Sequence, residues 1–228
     1  MNKKEIVLAA YDLHEKVWAQ KSELWPGAKP DVFDALDPRI AAKVLGIDYQ
    51  VWDELGWYEH GRNRYEIAGL IERNLNKIRV SGRFPLSVQR FTAAHEIGHW
   101  VLHEQQVTAH RDMPVSDHSQ VRSEREPIEQ EADYFAACLL MPRWLMEPYF
   151  KSAFGHVPFR FTANSAFELD GHSSGSLLWP YSESRARGVA LARARRFAGK
   201  QIVPLFEKFQ VSISAMAYRI EELELIQD

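Results

Sequence analysis

Between Arg90 and His103 the chain reads Arg-Phe-Thr-Ala-Ala-His-Glu-Ile-Gly-His-Trp-Val-Leu-His, a stretch that can fold in few ways. No proline interrupts it from Val88 until Pro114, and Phe91, Ala94, Ile97, Gly98, Val101 and Leu102 recur at three- and four-residue spacing. That is the pattern of a partly buried amphipathic helix. Ser87 is the expected N-cap, with Leu86 and Phe91 spaced as a hydrophobic staple. On such a helix His95 and His99 project from one face, one turn apart. Two imidazoles so placed can share a zinc ion, and Glu96 beside them can act as general base. The same spacing also suits two half-buried histidines of an ordinary helix, so the rest of the chain has to decide. Gly98 costs about 1 kcal/mol of helix stability relative to Ala. Either a neighbour approaches closely there or the cost is simply tolerated.

A catalytic zinc takes three protein ligands and keeps a position for water. His103 continues the spacing but sits two turns from His95, about 12 Å along the axis at ~1.5 Å per residue. A straight helix cannot wrap three such side chains around one ion, and no glycine turn reverses the chain before His103. His103 is therefore expected behind the ligands or in a structural role. The better candidate lies in Glu126-Pro-Ile-Glu-Gln-Glu-Ala-Asp-Tyr-Phe-Ala-Ala-Cys-Leu-Leu-Met-Pro142. Pro127 suits a first helical turn, the early acidic residues suit the positive end of the dipole, and Pro142 stops the helix. Ile128, Ala132, Phe135 and Leu139 form its core stripe. Glu129 and Asp133 share a neighbouring stripe, so Glu129 can bind the metal while Asp133 accepts the second N–H of a ligating histidine. Glu131 points about 200° away from Glu129 on an ideal helix. An acidic first turn also serves dipole stabilisation alone; beside His-Glu-x-x-His the ligand reading is favoured.

The two segments together, Arg-Phe-Thr-Ala-Ala-His-Glu-Ile-Gly-His-Trp-Val-Leu-His and the later Glu-x-x-Ala-Asp-x-Phe-Ala-Ala-x-Leu-Leu-Met-Pro, resemble the ImmA/IrrE metallopeptidases. The resemblance extends over roughly residues 35 to 226. It implies an α+β, zincin-like fold: the His-Glu-x-x-His helix, a second helix bearing the glutamate, a small β-sheet and a mainly helical C-terminal extension. It implies Zn²⁺ bound by His95, His99 and Glu129, with Glu96 as base. The family pattern often has Asn where this chain has Asp133, and either can orient a ligand. The substrates it implies are helix-turn-helix repressors or antitoxins, cleaved in stress or mobile-element responses. Many relatives carry an N-terminal helix-turn-helix domain that is not seen here, so direct nucleic-acid binding is not expected. The rival reading is a non-catalytic zincin-fold partner that sequesters a repressor or antitoxin; presence of the base as well as the ligands argues against it.

With 228 residues, 46% of them apolar, the chain can build one substantial core and a helical appendage. The expected division is an N-terminal helical segment at 1–60, a metallopeptidase core at 61–150 and a mainly helical region at 151–228. A net charge of −3 and a pI near 6.3 give no overall drive toward nucleic acid or membrane. The single cysteine, Cys138, allows no disulfide within the chain and lies in an apolar helical stretch. The N-terminus lacks the apolar core of a signal peptide, and no apolar run approaches bilayer length, so a cytoplasmic location is expected.

Along the rest of the chain, residues 3–22 and 38–45 read as helices, separated by a Pro/Gly link at 25–30. Segments 64–71 and 77–81 read as a hairpin before the zinc helix, with Ile78 to Ser81 either an edge that holds extended substrate or an ordinary edge strand. Residues 104–126 read as a flap or an unstructured loop. The stretch Gly171 to Ser176 reads as a flexible loop, and His156 and His172 as surface histidines. Residues 184–199 read as a helix whose arginines, Arg185, Arg187, Arg193, Arg195 and Arg196, form a solvated basic face or contact phosphate or an acidic partner. The end of the chain reads as helix, turn, helix, capped by Ser212 or Ser214. Its second helix carries Arg219 among Glu221, Glu222 and Glu224, which suits packing or repressor docking better than DNA. Tyr134, Tyr149 and Arg90 are candidates for the oxyanion donor.

Overall fold

The computed structural model describes residues 1–60, 63–104, 108–111, 126–170, 175, 178 and 184–227. The chain separates into two units, Met1–Leu140 and Met141–Asp228.

The first unit opens with α1 (Lys3–Ala19), started by a capping box: Asn2 accepts from the Glu5 amide and Glu5 accepts from the Asn2 amide, each at 3.0 Å. Its buried face, Ile6, Ala10, Leu13 and Val17, packs on α5 (Pro127–Leu140), which joins the N-terminal helix to the body of the unit. His14 lies in the same face and donates from Nε2 to the Leu139 carbonyl at 2.8 Å. Burial holds its imidazole below the ordinary value of 6.5, although the bond to Leu139 pulls the other way. A histidine kept neutral by the fold contributes stability that is present above the ordinary value of 6.5 and is lost as pH falls below it toward the lowered folded-state value. Thermal unfolding from pH 7.5 to 5.5 is accordingly expected to show a smaller acid loss in His14→Gln, whose amide can still donate to Leu139. Equal slopes in the two proteins would rule His14 out as the cause.

The sheet contains β1 (Asp48–Trp52), β4 (Gly69–Glu72), β5 (Lys77–Ser81) and β6 (Thr108–Arg111), in the order β1-β5-β4-β6. Strand β5 pairs in parallel with β1 and antiparallel with β4, with Ile71 opposite Ile78 and Gly69 opposite Val80. Ile78 to Ser81 is therefore an interior strand with its backbone committed on both sides, and the expected substrate edge is not there. Among the described residues the edges are β1 and β6. The expected strand over 64–71 also divides. Asn63–Glu66, strand β3, pairs with β2 (Trp57–His60) in a separate hairpin, and β4 begins only at Gly69.

Ile71, Ile78 and Val80 are fully buried and face the helix that carries the motif, α4 (Leu86–Leu102). Burying side chains of this kind contributes about 1.5–3 kcal/mol each, which makes this layer the anchor of α4. The helix begins earlier than expected: Pro85 is its N-cap and makes no side-chain cap bond, and Leu86 is 76% exposed, so neither the Ser87 cap nor the staple forms. Its far end is held from the hairpin turn. Arg73 donates to the carbonyls of His99, Trp100 and His103 at 2.5, 2.8 and 3.0 Å, placing a cation at the negative end of the helix.

The second unit contains α6 (Arg143–Phe154), β7 (Phe159–Arg160), α7 (Ala163–Asp170), α8 (Ser184–Arg193), β8 (Arg196–Phe197), β9 (Lys200–Gln201), α9 (Leu205–Lys208), α10 (Ile213–Glu222) and β10 (Ile226–Gln227). Phe150, Phe154 and Phe159 fill its core. The helix expected over 184–199 ends at Arg193, and Ala198 and Gly199, with left-handed φ values of 48° and 74°, turn the chain between β8 and β9. The solvated basic face holds in part: Arg193, Arg195 and Arg196 are exposed, Arg195 pairing with Glu207, whereas Arg185 and Arg187 are half-buried and stack on Tyr218 and Phe161. The terminal pair of helices forms as read, with Ser212 capping α10 by accepting from the Ala215 amide at 3.1 Å. Arg219 is turned inward, donating from Nε to the Met141 carbonyl at 2.9 Å. His156 is exposed and stacks on Phe159.

No helix among the described residues is long and apolar enough to cross a membrane. The flap expected at 104–126, apart from Glu104, β6 and Glu126, lies outside the described residues. So do His172 and all but Gly175 of the expected loop at 171–176.

Candidate metal centre

The sequence places His95, Glu96 and His99 on one turn of α4; tertiary packing then brings α5 across them. The approach depends on Gly98. A Cβ at that position would stand 3.1 Å from the Ala132 Cα and carbonyl oxygen and 3.2 Å from Phe135, so α4 and α5 meet at a distance that glycine permits. At that crossing the α5 stripe of Glu129 and Asp133 faces the α4 stripe of His95 and His99.

Among the described residues, His95, His99 and Glu129 offer ligand atoms that all lie within 4.8 Å of one another. Closer in, His95 Nε2 is 3.0 Å from His99 Nε2 and 3.2 Å from Glu129 Oε2, and His99 Nε2 is 3.2 Å from Glu129 Oε1. The His95 tautomer follows from its other nitrogen. Nδ1 lies 2.9 Å from Asp133 Oδ1, and a carboxylate accepts, so Nδ1 carries the hydrogen and Nε2 presents a lone pair. Three donor atoms thus converge on one point, at separations that call for positive charge between them, a ring hydrogen or a metal cation. Ligands bonded at ~2.0–2.1 Å to a tetrahedral zinc stand about 3.3 Å apart, close to the observed separations. The donor set therefore fits a divalent metal.

The electrostatics agree. Burial raises the Glu129 carboxyl, but its contacts with the imidazoles of His95 and His99 outweigh that and hold the group far below the usual carboxylate range, the response of a carboxylate that faces positive charge. Burial lowers the His99 imidazole, against the pull of Glu129. The site offers one anionic oxygen and neutral nitrogen, as metal binding requires.

Glu96 is completely buried. It lies against the first residue of β4: a Cβ on Gly69 would meet Thr92 Cγ2 and come 2.7 Å from Glu96 Oε1. Gly69 thus leaves the space that the Glu96 carboxylate occupies. The sequence reading passed over it, although an isolated glycine at a strand start is a known sign of close approach. Arg73 was passed over too, and no local pattern announces it.

The remaining candidates are placed as follows. His103 Nδ1 lies 3.0 Å from His99 Nδ1, behind the donor set. Arg90 reaches away from it, donating to the Leu36 carbonyl at 3.3 Å near Asp37. Tyr134 lies under the Lys3 amine, on the α1 side of α5. Tyr149 belongs to the second unit and sets its ring against Phe209. These contacts give no reason to assign an oxyanion role to any of the three.

Residues 54–156 match the family model described as the IrrE N-terminal-like domain, a peptidase family. No curated protein matches the chain.

Proposed function

We propose that this member of the IrrE N-terminal-like peptidase family is a zinc-dependent endopeptidase of zincin-like architecture. The convergence of His95, His99 and Glu129 beside a buried Glu96 carries the reading. His95, His99 and Glu129 would hold the ion, and Asp133 would orient His95. When bound, zinc lowers the pKa of its water toward ~7 and polarises the scissile carbonyl. Glu96 takes the water proton and delivers it to the leaving amine nitrogen, a role typically worth about 10²–10⁴-fold. The buried setting of Glu96 keeps bulk water from competing for that proton. The substrate class proposed is a helix-turn-helix repressor or antitoxin, supported by the likeness of both motif segments to the ImmA/IrrE metallopeptidases.

Elemental analysis of the purified protein beside His99→Ala and Glu129→Ala tests the metal centre. About one zinc per chain, sharply reduced in both variants, is the expected result. Wild type that neither contains nor takes up zinc would discard the peptidase and leave sequestration of an intact partner.

A further inference from the structure

Glu131 stands outside the donor set, yet a hydrogen-bonded line joins it to that set. Its Oε2 lies 3.0 Å from His103 Nε2, and His103 Nδ1 lies 3.0 Å from His99 Nδ1. Its Oε1 pairs with the Met1 amino group. The proton positions along the line follow from what each atom can do. An ionised carboxylate only accepts, so the hydrogen between Glu131 and His103 belongs to His103 Nε2. A neutral imidazole has one donor and one acceptor nitrogen, so His103 Nδ1 accepts. His99 Nδ1 then donates, and its Nε2 keeps a lone pair, 3.2 Å from Glu129 Oε1. The opposite order would put a hydrogen on His99 Nε2, pointing into the donor set, where a cation could not use it.

We propose that Glu131 is a positioning residue for the metal centre: through His103 it holds His99 in the Nδ1–H form, with Nε2 offered to a divalent cation. This rests on the metal reading given above and deepens it. Asp133 supports His95 directly, at 2.9 Å. Glu131 projects from another side of α5 and reaches His99 only with an imidazole between them. The relay is sheltered, since the side chain of His103 is 8% exposed and that of Glu131 21%. Orientation of ligating histidines by such outer partners is typically worth about 10- to 100-fold in metal affinity.

The test is zinc competition against a chelating dye, using metal-free wild type and the variants Glu131→Leu, Glu131→Gln, His103→Leu and His103→Gln. Alongside it, a ¹H–¹⁵N spectrum of the zinc-loaded, histidine-labelled wild type locates the ring hydrogens. Glu131→Leu should lose about 10- to 100-fold in affinity. Glu131→Gln should recover most of it, because its amide oxygen still accepts from His103 Nε2. If Glu131→Leu does not fold, the His103 pair decides: Gln can accept from His99 Nδ1 and Leu cannot, so only His103→Leu should bind zinc weakly. The spectrum should show hydrogen on His103 Nε2 and His99 Nδ1. Hydrogen on His103 Nδ1, or leucine variants that bind zinc as tightly as wild type, would overturn the proposal. Wild type that takes up no zinc overturns the metal reading and this proposal with it, which separates the two failures.

Discussion

Glu96→Gln is expected to keep its zinc and to lose cleavage by about 10²–10⁴-fold. The side chain is fully buried and stands beside, not among, the converging donors of His95, His99 and Glu129. Glutamine fills the same volume in the space that Gly69 leaves open, so the packing of β4 on α4 should survive. The amide cannot take a proton from water, and the chemistry stops there. Zinc content by elemental analysis, stability by thermal unfolding and a cleavage time course against a repressor captured by the inactive variant make up the measurement. Undiminished cleavage would remove Glu96 from the chemistry. Loss of zinc would instead place it in the binding of the ion.

The second large effect is expected at a residue with no side chain. Gly98→Leu should lower stability by about 1–3 kcal/mol through overpacking and weaken zinc binding about tenfold or more, as displaced ligands and their supports typically do. A Cβ there already meets Ala132 and Phe135 at 3.1–3.2 Å, and leucine adds three more carbons against the backbone of α5. The two helices can only move apart, which carries Glu129 and Asp133 away from His95 and His99. Gly98→Ala discriminates between this account and a simple intolerance of substitution. It must shift the neighbour by only a few tenths of an ångström, and the gain in helix propensity, about 1 kcal/mol, offsets much of that cost. Alanine should therefore behave nearly as wild type in both unfolding and zinc titration. Leucine with full zinc affinity would show that the crossing distance does not set the site.

Those two residues mark how far the chain could be read without its fold. The helices carrying the site were legible because their information is local: apolar spacing, the absence of proline until a stop, Pro127 at the start and Pro142 just past the end of α5. The Ser87 cap was misplaced because α4 begins two residues earlier, behind Pro85 and without a side-chain cap, and a cap typically worth about 1 kcal/mol does not by itself fix where a helix starts. Strand β1 was not foreseen, and so Ile78 to Ser81 was taken for an edge. Parallel pairing joins segments distant in sequence and leaves no turn signature between them. The basic face was legible at Arg193, Arg195 and Arg196, which are exposed, but not at Arg185 and Arg187, since their partners Tyr218 and Phe161 lie on other elements.

Sequence alone determined which residue types could meet a metal and on which helical faces they lie, because 3.6 residues per turn fixes the stripe of His95 and His99 and that of Glu129 and Asp133. Only the tertiary structure decided that these stripes face each other, that Gly69 makes room for Glu96, and that Glu131 reaches His99 through His103. Side-chain spacing along one helix is set by backbone geometry. The distance between two helices is set by the volume of whatever stands at their crossing, and here that is the hydrogen atom of Gly98 against Ala132.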